Sequence, residues 1–362
     1  MIPIAQPAIG EEEIAAVADV LRSGMLAQGE VVARFEGAFA RFCHADHAVA
    51  VNSGTAALHV ALMALGIGPG DEVIVPSFTF IATASSVSMC GARPVFVDID
   101  PLTFTLAPEQ VEERVTDRTK AVIGVHLFGH PFDIAAIQDI CEDRRLLLIE
   151  DAAQAHGARF MGEPVGGFGT VSCFSFYPTK NMTTGEGGMV VTGDPDIAER
   201  IRVLINHGQQ KKYLHTQLGF NYRMTNIGAA IGYEQLKKLN NMNSQRRANA
   251  AYYTAHLTHP GIERPCCKAH AEHVYHQYVV KMNEEFPMTR KEFMEYLQGK
   301  GIGSAVHYPT PLHRQPIYLS TLPPVPCPVS DTCAGSVLSL PVHPHVGISD
   351  CHYICQCINE VD

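Results

Sequence analysis

The sequence predicts an α/β protein with a mainly parallel central sheet covered by helices, followed by a smaller C-terminal α+β unit. Three observations predict it. From about residue 50 to 205, short apolar runs alternate with segments of helical spacing, as parallel strands require when each return to the sheet passes through a helix. The runs are continuously apolar, the mark of strands buried on both faces. Past Asn240 the alternation stops and the text becomes polar, then proline-richer.

Leu58, Leu62 and Leu65 fall at helical spacing. Gly66-Ile67-Gly68-Pro69-Gly70-Asp71 then breaks the helix, and Glu72-Val73-Ile74-Val75 reads as a buried strand. These glycines follow a helix and do not match GxGxxG, so a dinucleotide-binding reading is set aside. A small-residue helix from Ile81 to Cys90 comes next, then a strand from Arg93 to Val97 and a helix from Pro108 to Val115, with proline in the tolerant first turn. Ala121 to Val125 is another strand. Asp133 caps a helix to Cys141, and the strand Leu146 to Ile149 delivers Asp151. Val171 to Phe176 ends in a Tyr177-Pro178-Thr179 turn that presents Lys180. In the C-terminal part, Ser244 to Asn249 lies on a polar helix, Tyr275 to Met282 and Gly303 to His307 read as strands, and Arg290 to Lys300 as a helix. The division is 21–240 for the large unit and 241–362 for the small one.

A chain of 362 residues, 46% hydrophobic, has material for a sizeable core. It contains no run of about 18 apolar residues, and the start Met1-Ile2-Pro3-Ile4 lacks the pattern of a secretory leader. The expectation is a cytoplasmic, unprocessed protein. A net charge of −10 disfavours nucleic acid and anionic membranes, because phosphate contacts need clustered Lys and Arg. Eleven cysteines without a leader read as reduced thiols. Cys351, Cys355 and Cys357 imitate a metal site but lack a second half, so the reading is a helix with buried thiols and no metal.

The chemistry lies at the strand exits. An acid (Asp151) and an amine (Lys180) presented there suit pyridoxal 5'-phosphate, which needs a lysine to form its imine and an acid to keep its ring nitrogen protonated. Upstream, Asn52-Ser53-Gly54-Thr55-Ala56-Ala57-Leu58 opens a helix with small residues, whose free N–H groups suit a phosphate.

Read together, Ser53 to Leu58, Pro76-Ser77-Phe78-Thr79-Phe80, Glu150-Asp151-Ala152-Ala153-Gln154, Ser175 to Asn181, Glu186-Gly187-Gly188 and Gly219 to Arg223 give a chain that resembles the DegT/DnrJ/EryC1/StrS family of sugar aminotransferases, within the fold-type I pyridoxal phosphate enzymes. The likeness covers nearly the whole chain. It implies a homodimer with shared active sites, an N-terminal segment (1–20) packed on the small domain, and pyridoxamine 5'-phosphate as the intermediate cofactor form. It implies the imine and proton transfer for Lys180, the ring nitrogen for Asp151, the ring hydroxyl for Gln154 and stacking for Phe80. Gly54, Thr55, Ala56 and Ser175 would hold the phosphate. Asn221 would reach the neighbouring subunit's cofactor phosphate and Arg223 the substrate phosphate, while His307, Tyr308 and His313 would contact the nucleotide sugar. The implied partners are L-glutamate and a nucleotide-diphosphate keto sugar, UDP-linked with the ketone at C3 or C4. Two alternatives stand beside this: lyase, racemase or dehydratase chemistry on the same cofactor, and a cofactor-binding regulator. Family dehydratases replace the imine lysine by histidine, and here Lys180 is present.

Overall fold

The computed structural model describes residues 1–361. Seven strands form the central sheet: β1 (His47–Val51), β2 (Glu72–Pro76), β3 (Arg93–Val97), β4 (Thr119–Val125), β5 (Leu147–Asp151), β6 (Val171–Ser175) and β7 (Gly188–Thr192). Their order across the sheet is β1-β7-β6-β5-β4-β2-β3. The pairs β2/β3, β2/β4, β4/β5 and β5/β6 are parallel, and β7 runs antiparallel to both β6 and β1. The expected mainly parallel sheet is therefore present.

Each buried strand feeds two cores because successive side chains point to opposite faces. Val73 and Val75 of β2 enter one apolar cluster while Ile74 enters the other; Ile123 and Val122 of β4 divide in the same way. Helices α1 (Glu11–Ser23), α2 (Glu30–Phe42), α3 (Gly54–Ala64), α4 (Ala82–Met89), α5 (Pro108–Arg114), α6 (Ile134–Arg144) and α7 (Pro195–Leu204) surround the sheet. Asp133 caps α6 as its sequence predicts, its carboxylate accepting the Ala136 N–H at 3.2 Å. The carboxyl ends of parallel strands collect in one place, where ligands of open α/β sheets bind. Here those ends carry Val125, Asp151 and Ser175.

A third cluster fills the C-terminal unit. Its antiparallel sheet is β8 (Ile262–Glu263), β9 (Tyr278–Met282) and β10 (Val337–Leu340), with β9 in the middle. The expected strand Gly303–His307 does not form, and β10 takes the place beside β9. Gly303 donates its N–H to the Ile2 carbonyl at 2.8 Å, and only Ala305 bridges to Ser339. The N-terminal segment thus joins this stretch through the Ile2–Ile302 bridge. The polar helix read at 244–249 is the middle of α8 (Asn226–His256), a 31-residue helix that runs unbroken from the second core cluster into the third. Cys351, Cys355 and Cys357 are buried on the helix Ile348–Asn359. Among the described residues, no helix is long and apolar enough to cross a membrane.

Candidate active site

A cavity of about 560 Å³ opens where β4, β5 and β6 end, within the range of small-molecule sites. Gly54, Thr55, Phe80, Asp151, Gln154, Ser175, Lys180, His307 and Tyr308 all line it. They come from five separate stretches of chain.

The helix α3 begins at the cavity wall. Ser53 caps it by accepting the Ala56 N–H at 3.1 Å, and the first intrahelical bond runs from Ala57 N–H to the Ser53 carbonyl. The N–H groups of Gly54 and Thr55 precede that bond, so they are the two left for a ligand. Ala56 is not among the lining residues, and its N–H serves the cap. Gly54 must lack a side chain, since a Cβ there would lie 2.6 Å from the Ser175 Cβ. Helix start and serine together form a narrow, uncharged cradle of the kind that takes a phosphate.

Asp151 is buried and held from two sides: Thr83 Oγ1 donates to Oδ2 at 2.8 Å and the Ala153 N–H to Oδ1 at 3.2 Å. Burial raises its pKa, and the Thr83 and Ala153 bonds and the nearby Lys180 amine work against that rise. A carboxylate so desolvated seeks a cationic partner. A protonated pyridine nitrogen would satisfy it.

Lys180 is set by a short turn in which its N–H donates to the Tyr177 carbonyl at 2.9 Å. The following loop is tied back to β6, because Thr183 Oγ1 donates to the Phe176 carbonyl at 2.8 Å and Phe176 N–H donates to Gly187 at 2.8 Å. Burial pulls the amine's pKa down to about 8, with the Asp151 charge opposing. That value favours an amine able to act as nucleophile and base near neutrality.

Gln154 has its orientation fixed at both ends. Its Oε1 accepts the Phe128 N–H at 2.7 Å and its Nε2 donates to the Tyr308 hydroxyl at 3.0 Å. Phe80 is 53% exposed, unusual for a phenylalanine, and stands over the cavity as a free aromatic face. These groups fit pyridoxal phosphate: a phosphate cradle, an acid for the ring nitrogen, an amine and an uncovered ring. Gly54→Ala should fill the cradle and weaken retention of the cofactor by roughly tenfold or more, measured by equilibrium dialysis, with the melting temperature changed far less.

Besides Ala56, three predicted residues lie outside the cavity lining. His313 is buried against Ser77, its Nδ1 2.5 Å from the hydroxyl, and its Nε2 is 3.3 Å from Asp331. That packing, in the turn Leu312–Arg314, turns it away from the cavity. Asn221 is exposed and accepts from Arg223 Nε at 3.1 Å, while Arg223 also donates to Asn206 at 2.8 Å. Neither lines the cavity of its own chain. Conversely, Thr83, His276 and Gln277 were not picked out from sequence. Thr83 sat in a run of small residues, and His276 and Gln277 were absorbed into the expected strand Tyr275–Met282, which in fact begins at Tyr278.

Comparison with known proteins agrees with the geometry. The model of the DegT/DnrJ/EryC1/StrS aminotransferase family matches residues 7–359. The chain is 44% identical over 338 residues to dTDP-3-amino-3,4,6-trideoxy-alpha-D-glucose transaminase from Streptomyces venezuelae, covering 92% of this chain and 88% of the relative. It is 40% identical over 337 residues to UDP-N-acetyl-3-dehydro-alpha-D-glucosamine 3-aminotransferase from Acidithiobacillus ferrooxidans, covering 93% and 90%. Among solved structures, S. venezuelae DesV in complex with a ketimine intermediate superposes with a TM-score of 0.92 at 43% identity, covering 96% of this chain and 94% of that one. The chain belongs to the DegT/DnrJ/EryC1/StrS aminotransferase family and is a pyridoxal 5'-phosphate-dependent aminotransferase.

Proposed function

We propose that the protein moves the amino group of L-glutamate onto a keto sugar carried by a nucleoside diphosphate, in the cytoplasmic assembly of amino sugars for cell-surface polysaccharide. The acceptor proposed is UDP-linked with its ketone at C3 or C4. The observation that carries this reading is the Lys180 amine and the Asp151 carboxylate opening into one cavity with room for a sugar beside the cofactor. The two relatives named above act on 3-amino or 3-dehydro sugars by their names, one dTDP-linked and one UDP-linked, which supports a sugar acceptor.

Bound pyridoxal phosphate would supply the electron sink for a carbanion at the substrate carbon. The chain's own residues do the rest. Gly54, Thr55 and Ser175 hold the phosphate, Phe80 covers the ring face and Gln154 approaches the ring hydroxyl. Asp151 keeps the ring nitrogen protonated. Lys180 would hold the cofactor through its Nζ and, when free, would use the same amine to move the proton from the substrate carbon.

The charge balance of the cavity favours a shared site. Its charged lining residues are Asp151, Lys180 and Glu186, two acids and one amine. A cofactor phosphate, a sugar diphosphate and the glutamate carboxylates cannot all be neutralised by one lysine. Asn221 and Arg223 of the partner subunit are the proposed complement. A groove lined by Ile9, Ile14, Val17, Leu21 and Pro178 is apolar and borders the Lys180 turn, a surface suited to burial against a second copy. Mixing inactive Lys180→Ala with inactive Asn221→Ala subunits should restore part of the activity, since a mixed dimer has one site with both native groups. A verified mixed dimer without activity would reject the shared arrangement.

A nitrogen balance tests the reaction itself. With ¹⁵N-labelled L-glutamate, each mole of 2-oxoglutarate formed should be matched by one mole of ¹⁵N-amino sugar. Release of ammonia, or 2-oxoglutarate without labelled sugar from any UDP- or dTDP-linked ketone, would refute the assignment.

A further inference from the structure

His276 lines the cavity beside Lys180, and its protonation can be read from its neighbours. Asn181, the residue after Lys180, donates through Nδ2 to the Val274 carbonyl at 3.1 Å and to Asn243 Oδ1 at 2.8 Å. A backbone carbonyl can only accept, so the Asn181 amide is fixed with its oxygen on the other side. Asn243 is fixed likewise, because its Nδ2 donates to the His156 carbonyl at 2.8 Å. The Asn181 Oδ1 lies 3.2 Å from His276 Nδ1. An amide oxygen cannot donate. His276 must therefore carry its proton on Nδ1.

The consequence falls on the other nitrogen. In an uncharged imidazole with Nδ1 protonated, Nε2 is a bare acceptor. It has no protein hydrogen-bond partner among the described residues, although the residue as a whole is only 5% exposed. The ring stays uncharged, since burial and the charges of Lys180 and Arg246 hold its pKa well below the ordinary histidine value. Arg246 Nη1 also donates to the His276 carbonyl at 3.3 Å, which pins the backbone.

A neutral lone pair attracts hydroxyls and repels carboxylates and phosphates. The only donor of L-glutamate is the amino group that reacts, whereas a sugar carries several O–H groups. We propose that His276 Nε2 accepts a hydrogen bond from a hydroxyl of the sugar substrate, and so discriminates the sugar from the amino donor at a position beside Lys180. The proposal rests on the sugar aminotransferase reading given above. It adds a specificity-determining residue to it.

Two variants separate this role from support of the fold. His276→Asn retains a donor where Nδ1 stood and loses the cavity acceptor, while His276→Gln places an amide where Nε2 stood. Calorimetry on cofactor-loaded protein would use UDP-N-acetylglucosamine and dTDP-glucose, which carry hydroxyls and no ketone, with UDP and dTDP as controls. His276→Asn should weaken sugar-nucleotide binding by about tenfold, leave the bare nucleotide within about twofold, and leave the glutamate half-reaction, followed by cofactor absorbance, within about threefold. His276→Gln should recover most of the sugar binding. Equal losses for sugar nucleotide and bare nucleotide, no loss at all, or glutamine no better than asparagine would each overturn the proposal. Histidine-selective ¹⁵N spectra of the wild type give an independent check that needs no variant: an Nε2-protonated or charged His276 refutes it. If wild-type protein binds neither sugar nucleotide while still reacting with glutamate, the sugar reading has failed and the proposal falls with it. That outcome is distinct from the variant results.

Discussion

Lys180→Ala is expected to lower turnover by roughly 10⁴-fold or more, because in the proposed mechanism one amine supplies both the covalent link and the moving proton. At a pKa of about 8, against an ordinary 10.5, roughly a tenth of the amine is free base at pH 7, some three hundredfold more than for a solvated lysine. The variant should still capture cofactor through Gly54, Thr55 and Ser175. Borohydride treatment of wild-type protein followed by peptide mapping should place a pyridoxyl group on Lys180, and the variant should give none there. A modified lysine elsewhere would overturn the assignment. Stability provides a second reading with a definite sign. Burial disfavours the ammonium, so cofactor-free wild type bears that penalty in full below pH 8 and loses it as pH rises towards 10.5. Cofactor-free Lys180→Ala should therefore melt no lower than wild type at pH 7, and any advantage should vanish at high pH.

Asp151→Asn is expected to reduce turnover by about 10² to 10³-fold, the usual range for removal of one preorganised electrostatic group. Folding should change little. The amide preserves the volume, its oxygen can still accept from Thr83 or Ala153, and a carboxylate whose pKa is raised by burial is no longer desolvated. A change in the pH dependence of the bound cofactor's spectrum should accompany the loss of rate. Near wild-type turnover with an unchanged spectrum would mean that the ring nitrogen has another partner.

Asp151 and Lys180 were legible in the sequence because each follows directly on its own apolar strand, so local pattern alone gives its place in the sheet. The small-residue start of α3 was legible for the same reason, while the use of the Ala56 N–H by the Ser53 cap was not. Contacts between distant segments were not legible. Thr83 reaches Asp151 across 68 positions and His276 reaches Asn181 across 95, and no periodicity records such pairings. The segment 302–307 is another case: it makes single bridges to distant partners, Ile302 to Ile2 and Ala305 to Ser339, instead of a continuous ladder. The packing of His313 on Ser77 was not legible for a different reason, since a histidine in a loop looks the same whether it faces a cavity or packs on a buried serine.

The parallel register Ile149–Val171 and Asp151–Cys173 between β5 and β6 has a consequence for the order of assembly. Parallel neighbours cannot form as a hairpin; each pairing closes a long loop and is slow compared with helix formation. The acid lies on β5 and the amine follows β6, so neither is positioned against the other until this non-local closure is complete. During refolding, acquisition of the absorbance of lysine-bound cofactor should lag behind recovery of helical circular dichroism, and the lag would time the docking of β5 on β6.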